Sequence, residues 1–324
     1  MNLNFLFNSG KNPKWKYYLK NIVNNALPKI IFRWQLKGYL KGFENRKDKE
    51  YILNRVNYYN KLNQKADLPN HAIRLKDNEV GSVSSVYYYD AQEIIRYFNP
   101  LLKWFNCYGD VTHIPEVPSI VKSRPIHGEN QNSIILKLEK VRHFIFLKDT
   151  KPFREKWNKI IFRGKIVGKQ HRIDFMEMYF GNSKFDIGDV SKHQVKPEWE
   201  VPKKTLWEHL DYKFIMSIEG NDVASNLKWV MSSNSIAVMP KPTYETWFME
   251  GTLIPNVHYI EIKPDYSDTE ERINYYIEHP EEAEKIIKNA NTYCQQFFDE
   301  KRERIISLLV MKKYFEMTNQ NYLS

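Results

Sequence analysis

The sequence lacks several features that define large classes of protein. No apolar run approaches the roughly 20 residues that a membrane-spanning helix needs, so we expect no such helix among the 324 residues. Residues 1–7 contain neither a charged segment nor a small-residue cleavage site, so we expect no signal peptide. The two cysteines, Cys107 and Cys294, have no metal-ligand spacing. They are expected to be reduced thiols in a cytoplasmic protein.

Aromatic and charged side chains are abundant but unevenly distributed. Aromatic residues make up 15% of the chain, which excludes a disordered composition. The net charge is +10, yet residues 1–66 alone hold 14 Lys and Arg against three acidic residues. The remaining residues are almost neutral. The basicity is therefore a property of one end of the chain.

This basic end is predicted to be helical over residues 11–62, where Trp and Tyr are interleaved with Lys and Arg. Such helices suit an anionic membrane surface, with the rings at headgroup depth and the cations on phospholipid. An alternative is ordinary helix packing beneath a solvated basic face. A nucleic-acid-binding arm is a third alternative, although the chain lacks any recognised nucleic-acid module.

Residues 83–148 contain short apolar segments that are separated by chain breakers. Three of these segments are predicted strands: 84–89, 134–138 and 143–147. Between them, Pro115, Pro118 and Pro125 oppose regular ladder pairing. Residues 109–125 are therefore predicted to form a loop that runs over a surface.

The second half of the chain alternates predicted strands with predicted helices. The strands are 159–162, 185–189, 212–218, 235–239 and 258–262. The helices are 153–159, 171–180, 205–210, 224–232 and 244–250. Further helices begin at a capping-box pattern in 267–270 and at Pro280. This alternation implies a mostly parallel sheet with helices on both faces.

The segment 212–239 predicts a strand, a polar loop at 219–222, a helix and a second strand. In such a unit the loop presents backbone N–H groups and the positive end of a helix dipole at the carboxyl edge of the sheet. A phosphate group can bind there. The pattern is common, so its specificity depends on the segments around it.

Four segments follow one another in a characteristic order: 156–164, 209–228, 244–250 and 253–262. Together they resemble glycosyltransferase family 90, which includes bacterial lipopolysaccharide core transferases and Rumi-type protein O-glucosyltransferases. Residues 121–126 resemble the bacterial branch in particular. The resemblance covers residues 105–300 and rests on the order of the motifs more than on any one of them.

The resemblance implies an α/β fold of GT-B type, with two Rossmann-like domains facing a cleft and the nucleotide sugar held mainly by the C-terminal one. The domain organisation that we expect is a basic helical region, an acceptor-side domain, a donor-binding domain and a C-terminal helix: 1–66, 67–150, 151–300 and 301–324.

The resemblance also implies the chemistry. Family members transfer glucose, galactose, xylose or similar sugars from UDP-sugars with inversion and without an essential metal, and this chain contains no Asp-x-Asp triplet. We therefore expect a cytoplasmic, inner-membrane-associated enzyme that uses UDP-glucose or UDP-galactose and a lipid A-core acceptor. The alternatives are a capsule or protein O-glycosyltransferase of the same family, or a non-catalytic sugar-binding protein at the membrane surface.

The implied donor site comprises these residues: Arg163, Gly164, Arg172, Ser225, Asn226, Lys228, Glu245 and His258. Cations and helix N-termini must stabilise the charge on departing UDP, and Arg163 would supply a forked donor. Animal relatives tend to carry Arg at Asn226, so the phosphate contact here is expected to be shared. The residues expected to share it are Lys228, Arg172 and Lys165.

Five of these donor-site residues have an ordinary structural role as the alternative. Arg163 could be a surface arginine at a strand end, and Ser225 and Asn226 could simply cap a helix. Glu245 would accept the ribose hydroxyls or be a solvated acid at a helix start. His258, with Tyr259, would close the cleft or be a satisfied strand histidine.

Inversion needs a general base that takes the acceptor proton. In the family this is an Asp shortly before a Pro-containing loop, a position that Asp110 matches best. Glu116 is the rival carboxylate and His113 a weaker one, while a turn-stabilising role is the alternative for Asp110. Nearby residues are expected to contact an anionic acceptor or to hold the two domains together: Lys122, Ser123 and Arg124.

Overall fold

The structure, a computed structural model, describes residues 9–80 and 84–322. The start of the chain, on which the expectation about a signal peptide depends, lies outside the described residues. None of the helices in the described ranges is both long and apolar enough to cross a bilayer. Every structural statement below concerns the described residues.

Helices and strands alternate through most of the described chain. The helices are α1 Lys14–Ala26, α2 Lys29–Glu44, α3 Lys49–Tyr59, α4 Ser85–Ile95, α5 Lys140–His143, α6 Gln170–Tyr179, α7 Leu206–His209, α8 Leu227–Met231, α9 Thr269–Glu278, α10 Pro280–Gln295 and α11 Glu300–Met317. The strands are β1 Ile73–Arg74, β2 Lys103–Trp104, β3 Asn106–Cys107, β4 Ser119–Val121, β5 Ser123–Pro125, β6 Ser133–Ile135, β7 Trp157–Gly164, β8 Phe185–Asp189, β9 Tyr212–Met216, β10 Ile236–Met239, β11 Tyr244–Thr246 and β12 Ile260–Glu261.

The chain divides into two compact units, each assembled from non-contiguous segments. Unit 1 comprises Met1–Asn12, Arg142–Pro242 and Thr252–Gln296. Unit 2 comprises Pro13–Val141, Thr243–Gly251 and Phe297–Ser324. The four consecutive segments expected from the sequence stay a prediction about domain organisation.

Unit 1 is built on a five-stranded parallel sheet, ordered β12-β10-β9-β7-β8. All five residues of β9 are buried, including Lys213, and the last three begin the apolar run that starts at Phe214. Side chains of the sheet and of α6, α9 and α10 share one apolar core, which includes Phe214, Phe175 and Ile273. The predicted parallel sheet with flanking helices is therefore confirmed.

Unit 2 contains a smaller parallel sheet, ordered β3-β4-β6, and an antiparallel pair of β5 with β11. Helix α3 packs against α11, and α1 and α11 pack against α4. Helices α1 to α3 lie within the region that the sequence predicts to be helical. Unit 2 is thus also a mixed α/β unit with a parallel sheet of its own.

Several helix predictions are confirmed. The helix expected over 171–180 is α6, and Pro280 occupies the first turn of α10. The five side chains expected on one stripe of α10 are all buried: Ala283, Ile286, Ile287, Ala290 and Cys294. The predicted capping box at 267–270 is absent, because Asp268 precedes α9 and its side chain makes no cap hydrogen bond.

Other predictions about local structure are wrong. Residues 84–89 were expected to form a strand but belong to α4, because Val86, Asp90 and Ile94 recur at helical spacing and are buried. Residues 244–250 were expected to form a helix but begin with β11, which pairs with β5. Residues 143–147 form no strand, and the Leu147 N–H donates to the Ser232 hydroxyl instead of to a ladder partner.

The surface loop predicted over 109–125 is wrong for its second half. Residues 119–124 are buried, and β4 is the central strand of the small sheet. The prolines are compatible with pairing because Pro118 precedes β4 and Pro125 ends β5. Loop structure is limited to the residues before β4.

Candidate active site

The strand order of unit 1 indicates where a ligand can bind. Along the chain the five strands of the large sheet have the spatial order 5-4-3-1-2, which reverses direction between β7 and β9. In open α/β sheets, ligands bind in the crevice outside the carboxyl ends of the strands at such a switch point. In unit 1 this crevice is bordered by the segments after β7 and β9, residues 165–169 and 217–226.

Arg172 on α6 joins these two segments. Its guanidinium donates to three backbone carbonyls, those of Lys165 at 2.9 Å, Ile218 at 2.9 Å and Glu219 at 3.0 Å. Within the described residues no carboxylate pairs with it. Burial lowers the pKa of Arg172 to about 10, so the side chain is still cationic at neutral pH. The switch point therefore carries a positive charge that pairs with no carboxylate in the described part of the chain.

A histidine and a lysine support the same two segments. The His171 ring lies 3.0 Å from the Glu219 carbonyl oxygen, and the Lys169 ammonium donates to the Asn221 side-chain oxygen at 2.9 Å. The Ser217 hydroxyl, in the first residue after β9, is buried without a hydrogen-bond partner in the described part of the chain. A buried polar atom of this kind is a binding group that a ligand or a water can satisfy.

Arg163 lies at the end of β7, as predicted, but its guanidinium is already paired. It donates to the Asp186 carboxylate at 2.5 Å and to the Asp186 carbonyl at 2.7 Å. Burial raises the pKa of Asp186, but hydrogen bonds from Tyr212 and Arg163 outweigh this and lower it overall. A direct phosphate contact by Arg163 would require this ion pair to open.

Gly164 ends β7 at a position that leaves no room for a side chain. A Cβ atom there would lie 2.4 Å from Cζ of the Phe162 ring. That ring lies beneath the Arg172 guanidinium, whose carbon is 5.6 Å from the ring centroid. The absence of a side chain at Gly164 therefore lets Phe162 support Arg172.

The segment after β9 differs from its prediction in the length of the helix. Helix α8 has five residues rather than the nine expected over 224–232. Asn226 does not cap it, because the side-chain amide donates to the Met216 carbonyl at 3.0 Å. Ser225 is half-buried, and Lys228 is fully buried within α8. Their predicted contacts with phosphate stay predictions.

His258 and Tyr259 precede β12 in unit 1. The Ile254 N–H donates to Nδ1 of His258 at 2.9 Å, so the proton of the neutral ring resides on Nε2. Burial lowers the pKa of His258, which favours this neutral form. The Tyr259 hydroxyl is buried, and the described residues offer it no hydrogen-bond partner. Both side chains thus have donor capacity, while their position near a sugar stays a prediction.

Asp110, the predicted base, lies in unit 2 beside a buried lysine. The Lys122 ammonium lies 2.5 Å from Oδ1 of Asp110 and 3.6 Å from Oε2 of Glu139. The Lys122 side chain is 2% exposed and that of Asp110 is 24% exposed. The Tyr87 hydroxyl donates to Glu139 at 3.2 Å. The buried Lys122 ammonium therefore orients the Asp110 carboxylate, which is partly exposed to solvent.

The rival candidates have fewer contacts. Glu116 and His113 are exposed, in the segment between Asp110 and β4. The backbone carbonyl of Glu116 accepts from the Asn132 amide at 2.8 Å, which orders the chain without engaging the Glu116 carboxylate. Asp110 and Glu116 therefore both stay candidates for the general base.

Glu245 and Arg124 form a buried ion pair in unit 2. Nε of Arg124 lies 2.7 Å from Oε1 of Glu245, and the Tyr58 hydroxyl donates to Oε2. The remaining guanidinium N–H groups of Arg124 donate to the carbonyls of residues 58, 59 and 133. Glu245 is 1% exposed, so it is not the solvated acid that was the structural alternative. A ribose contact would require access to oxygens that already accept hydrogen bonds.

The geometry does not support the predicted contact of residues 122–124 with an acceptor. Lys122, Ser123 and Arg124 are 1%, 0% and 0% exposed. The Ser123 hydroxyl exchanges hydrogen bonds with the backbone of Val111. These side chains stabilise the interior of unit 2, because burial of β4 and β5 takes them away from the surface.

The predicted site residues fall into the two units. Unit 1 holds Arg163, Gly164, Arg172, Ser225, Asn226, Lys228 and His258, and unit 2 holds Asp110, Glu116, Lys122, Ser123, Arg124 and Glu245. The sequence analysis missed Glu139 and Tyr58, whose contacts join distant parts of the chain and have no local pattern. It also missed Ser217, whose buried hydroxyl has no hydrogen-bond partner among the described residues. Among the described residues, no group of His, Cys, Asp and Glu side chains is arranged to hold a metal ion.

Sequence comparison relates this chain to glycosyltransferases. The model of Glycosyl transferase family 90 matches residues 134–320. The O-glucosyltransferase LpsA of Dichelobacter nodosus is 42% identical, over 94% of this chain and 96% of that protein. The human Protein O-glucosyltransferase 3 is 25% identical over 50% of this chain and 32% of its own length. The zebrafish Protein O-glucosyltransferase 2 is 30% identical over 26% of this chain and 17% of its own length.

Proposed function

Because the chain belongs to glycosyltransferase family 90 and is a glycosyltransferase, we propose that it moves a hexose from a UDP-sugar to the core oligosaccharide of lipopolysaccharide or lipooligosaccharide. The transfer inverts the anomeric centre and requires no essential metal. The hexose is glucose or galactose, and the O-glucosyltransferase name of the relative that spans nearly the whole chain favours glucose.

One observation carries the donor assignment, the cation at the switch point of unit 1. Arg172 is half-buried, and its guanidinium is held by backbone carbonyls and paired with no carboxylate among the described residues. When the glycosidic bond to UDP breaks, the leaving diphosphate gains negative charge. A preorganised cation in a crevice of low dielectric stabilises that charge, and an arginine can donate to two phosphate oxygens at once.

The other donor-site residues have supporting roles in this proposal. Ser225 and Asn226 belong to the segment after β9 that borders the crevice, with the Ser217 hydroxyl as a further donor, and the buried Lys228 adds positive charge behind them. Arg163 acts through its ion pair with Asp186 and shapes the end of β7. His258, with a proton on Nε2, donates to the sugar or the nucleotide. Glu245 is proposed for the ribose hydroxyls, in competition with its bond to Arg124.

The acceptor hydroxyl is deprotonated by Asp110 as it attacks the anomeric carbon from the face opposite UDP. One bond forms between the acceptor oxygen and the anomeric carbon, the bond to the UDP oxygen breaks, and Asp110 holds the released proton. The Lys122 ammonium favours the ionised form of the Asp110 carboxylate, which is the form that a base requires.

The fold proposed for this reaction is of GT-B type. Each of the two units contains a parallel sheet of its own, five-stranded in unit 1 and three-stranded in unit 2. In this proposal unit 1 contributes most of the donor-binding residues, and unit 2 contributes Glu245 and the base. Because the acceptor is anchored in the cytoplasmic leaflet, the enzyme works in the cytoplasm at the surface of the inner membrane.

A second candidate acceptor is a protein hydroxyl or a capsule polysaccharide. The observation that favours a protein is the similarity to animal enzymes named protein O-glucosyltransferases. That similarity covers half of this chain or less, whereas the bacterial relative covers 94% of it. The lipopolysaccharide core is therefore the first candidate.

A panel of UDP-sugars tests the proposal. Purified enzyme is mixed with lipooligosaccharide that lacks its terminal hexose, and free UDP is measured for UDP-glucose, UDP-galactose, UDP-xylose and UDP-N-acetylglucosamine. We expect UDP release with UDP-glucose or UDP-galactose, only when the acceptor is present, and an unchanged rate after chelation of divalent cations. Release from neither hexose donor, or release that a chelator abolishes, would contradict it.

A further inference from the structure

Helix α1 exposes an apolar stripe to solvent. Trp15, Leu19, Ile22 and Val23 are 65%, 55%, 56% and 54% exposed. Their spacing places them on one face of the helix, at successive turns. An apolar face normally points into a protein, so this helix is oriented the opposite way to a core-facing helix.

The opposite face of α1 confirms this orientation, because it is polar and turned inward. The Tyr17 hydroxyl donates to the Asp90 carboxylate at 2.7 Å, and the Tyr18 and Ser85 hydroxyls lie 3.2 Å apart. Asn21 is 4% exposed and donates to the Tyr17 carbonyl. Helix α1 is thus fixed to α4 by hydrogen bonds while its hydrocarbon faces outward.

Helix α2 continues the exposed apolar surface. Ile30, Ile31 and Trp34 are 41%, 44% and 71% exposed, whereas Leu36 and Phe43 on the other face are buried. We call the seven exposed side chains of the two helices the outer face: Trp15, Leu19, Ile22, Val23, Ile30, Ile31 and Trp34. Because the buried Leu36 and Phe43 side chains hold α2 against the protein, the outer face has a fixed position.

The charge around the outer face has one sign. Residues 11–43 contain eight Lys and Arg and no acidic residue. The Lys16 ammonium lies 5.5 Å from the centre of the Trp15 ring, so a cation borders the apolar stripe directly. Protein–protein interfaces are depleted in Lys, and nucleic acid offers phosphates but no partner for exposed Leu, Ile and Val. Hydrocarbon beside anionic groups is the chemistry of a phospholipid surface.

We propose that the outer face docks the enzyme on an anionic phospholipid leaflet, with the aliphatic side chains among the acyl chains and the two tryptophans at headgroup depth. The lysines around it bind phospholipid phosphates. This inference rests on the proposed function, which identifies the membrane as the one that carries the acceptor. To that function the inference adds the protein surface that contacts the leaflet. It also adds the orientation of α1 and α2 relative to the leaflet.

Vesicle sedimentation with the full-length protein tests the proposal. Vesicles of phosphatidylglycerol and phosphatidylethanolamine are compared with vesicles of phosphatidylcholine, at low and high salt. The test variant is L19S/I22S, and K14E/K16E reverses two charges of the same helix. The matched control is I73S/L101S, since Ile73 and Leu101 are 40% and 58% exposed but lie outside α1 and α2. Thermal unfolding establishes that all variants are folded.

We expect the wild type and the control to sediment with the anionic vesicles, more weakly at high salt, and L19S/I22S to bind at least about tenfold less. The result that would overturn the proposal is equal sedimentation of L19S/I22S and wild type, or no sedimentation of either. Self-association that L19S/I22S abolishes, without vesicle binding, would assign the outer face to a second copy and would equally overturn it.

The same variants separate this proposal from the proposed function. With a delipidated, soluble core oligosaccharide as acceptor, L19S/I22S should release UDP at the wild-type rate, because neither side chain is among the proposed donor, base or acceptor residues. Vesicle binding by a wild type that releases no UDP from any donor would leave the docking surface standing and reject the transferase assignment.

Discussion

The Lys122 ammonium lies 2.5 Å from the Asp110 carboxylate and is itself buried, with its side chain 2% exposed. A buried cation beside a partly exposed carboxylate fixes the orientation of the carboxylate and favours its ionised form. The second carboxylate, Glu139 at 3.6 Å, balances the lysine from another part of unit 2. We therefore expect Lys122 to act as a positioning residue for the proposed base.

The substitution K122M tests this role. Methionine keeps the length of the side chain but removes the charge, so Asp110 loses its orienting partner and Glu139 loses a counter-ion. We expect kcat to fall by about 10- to 100-fold while the KM for the donor changes little. Steady-state UDP release gives both constants, and a chemical denaturation curve measures any loss of stability.

K122R separates charge from geometry in the same assay. An arginine restores the positive charge, so partial recovery of kcat relative to K122M is expected. The contrary result is a rise in the donor KM of K122M that is as large as the fall in its kcat. Lys122 would then act on donor binding, and the positioning role would be wrong.

Arg172 provides the second prediction. Replacing it with Ala removes the cation at the switch point and releases the carbonyls of residues 165, 218 and 219. We expect kcat/KM for the UDP-sugar to fall by about 100- to 1000-fold, as on removal of a preorganised donor to a developing anion. Binding of UDP itself, measured by calorimetry, should weaken in parallel.

The matched control for R172A is R154A. Arg154 is also an arginine of unit 1, but it is about half exposed and pairs with Glu281 and Glu284 at the surface. Such surface pairs contribute little to stability, so R154A should retain the wild-type kcat/KM. Equal losses in the two variants would remove Arg172 from the donor site.

His209 predicts a dependence of stability on pH. Burial lowers the pKa of His209 to about 4, although its hydrogen bond to the Thr205 carbonyl acts in the opposite direction. The unfolded chain binds this proton near pH 6.5 and the folded chain only near pH 4, so the unfolded state holds more protons between these values. The free energy of unfolding therefore decreases as the pH falls from 6.5 towards 4.

At pH 5 the contribution of His209 to this loss is about 2 kcal/mol relative to neutral pH. Urea denaturation at pH 7 and pH 5 measures it, and H209Q should lose less stability between the two pH values than the wild type. H193Q is the control, because His193 is exposed. An identical pH dependence in wild type and H209Q would refute the assignment.

The sequence predicted the parts of the fold whose burial is continuous or periodic. Strand β9 is buried at every position and continues into an apolar run that starts at Phe214, and α10 has a regular buried stripe. Helix α4 was mistaken for a strand because its first residues are a Val and three Tyr, which favour strands locally. Its packing against α1 and α11 decides the outcome and is not visible in a short window.

The candidate site was predictable in its residue types but not in its contacts. Arg172 was a candidate, but its partners are backbone carbonyls up to 47 positions away, which carry no residue-specific signal. Arg124 was expected to be accessible because its neighbours are prolines and polar residues, yet it forms a buried pair with Glu245 in β11. Long-range pairing of strands β5 and β11 creates that contact, and no local pattern reports it.

The proposed base is tested most directly by comparing D110N with E116Q. Both substitutions remove a carboxylate from the same segment with little change in shape, and both proteins should bind UDP as the wild type does. The measurement is the rate of UDP release from the hexose donor with lipooligosaccharide as acceptor. We predict a loss of about 100-fold or more in D110N and near-wild-type turnover in E116Q. Turnover that persists in D110N and disappears in E116Q would contradict the account.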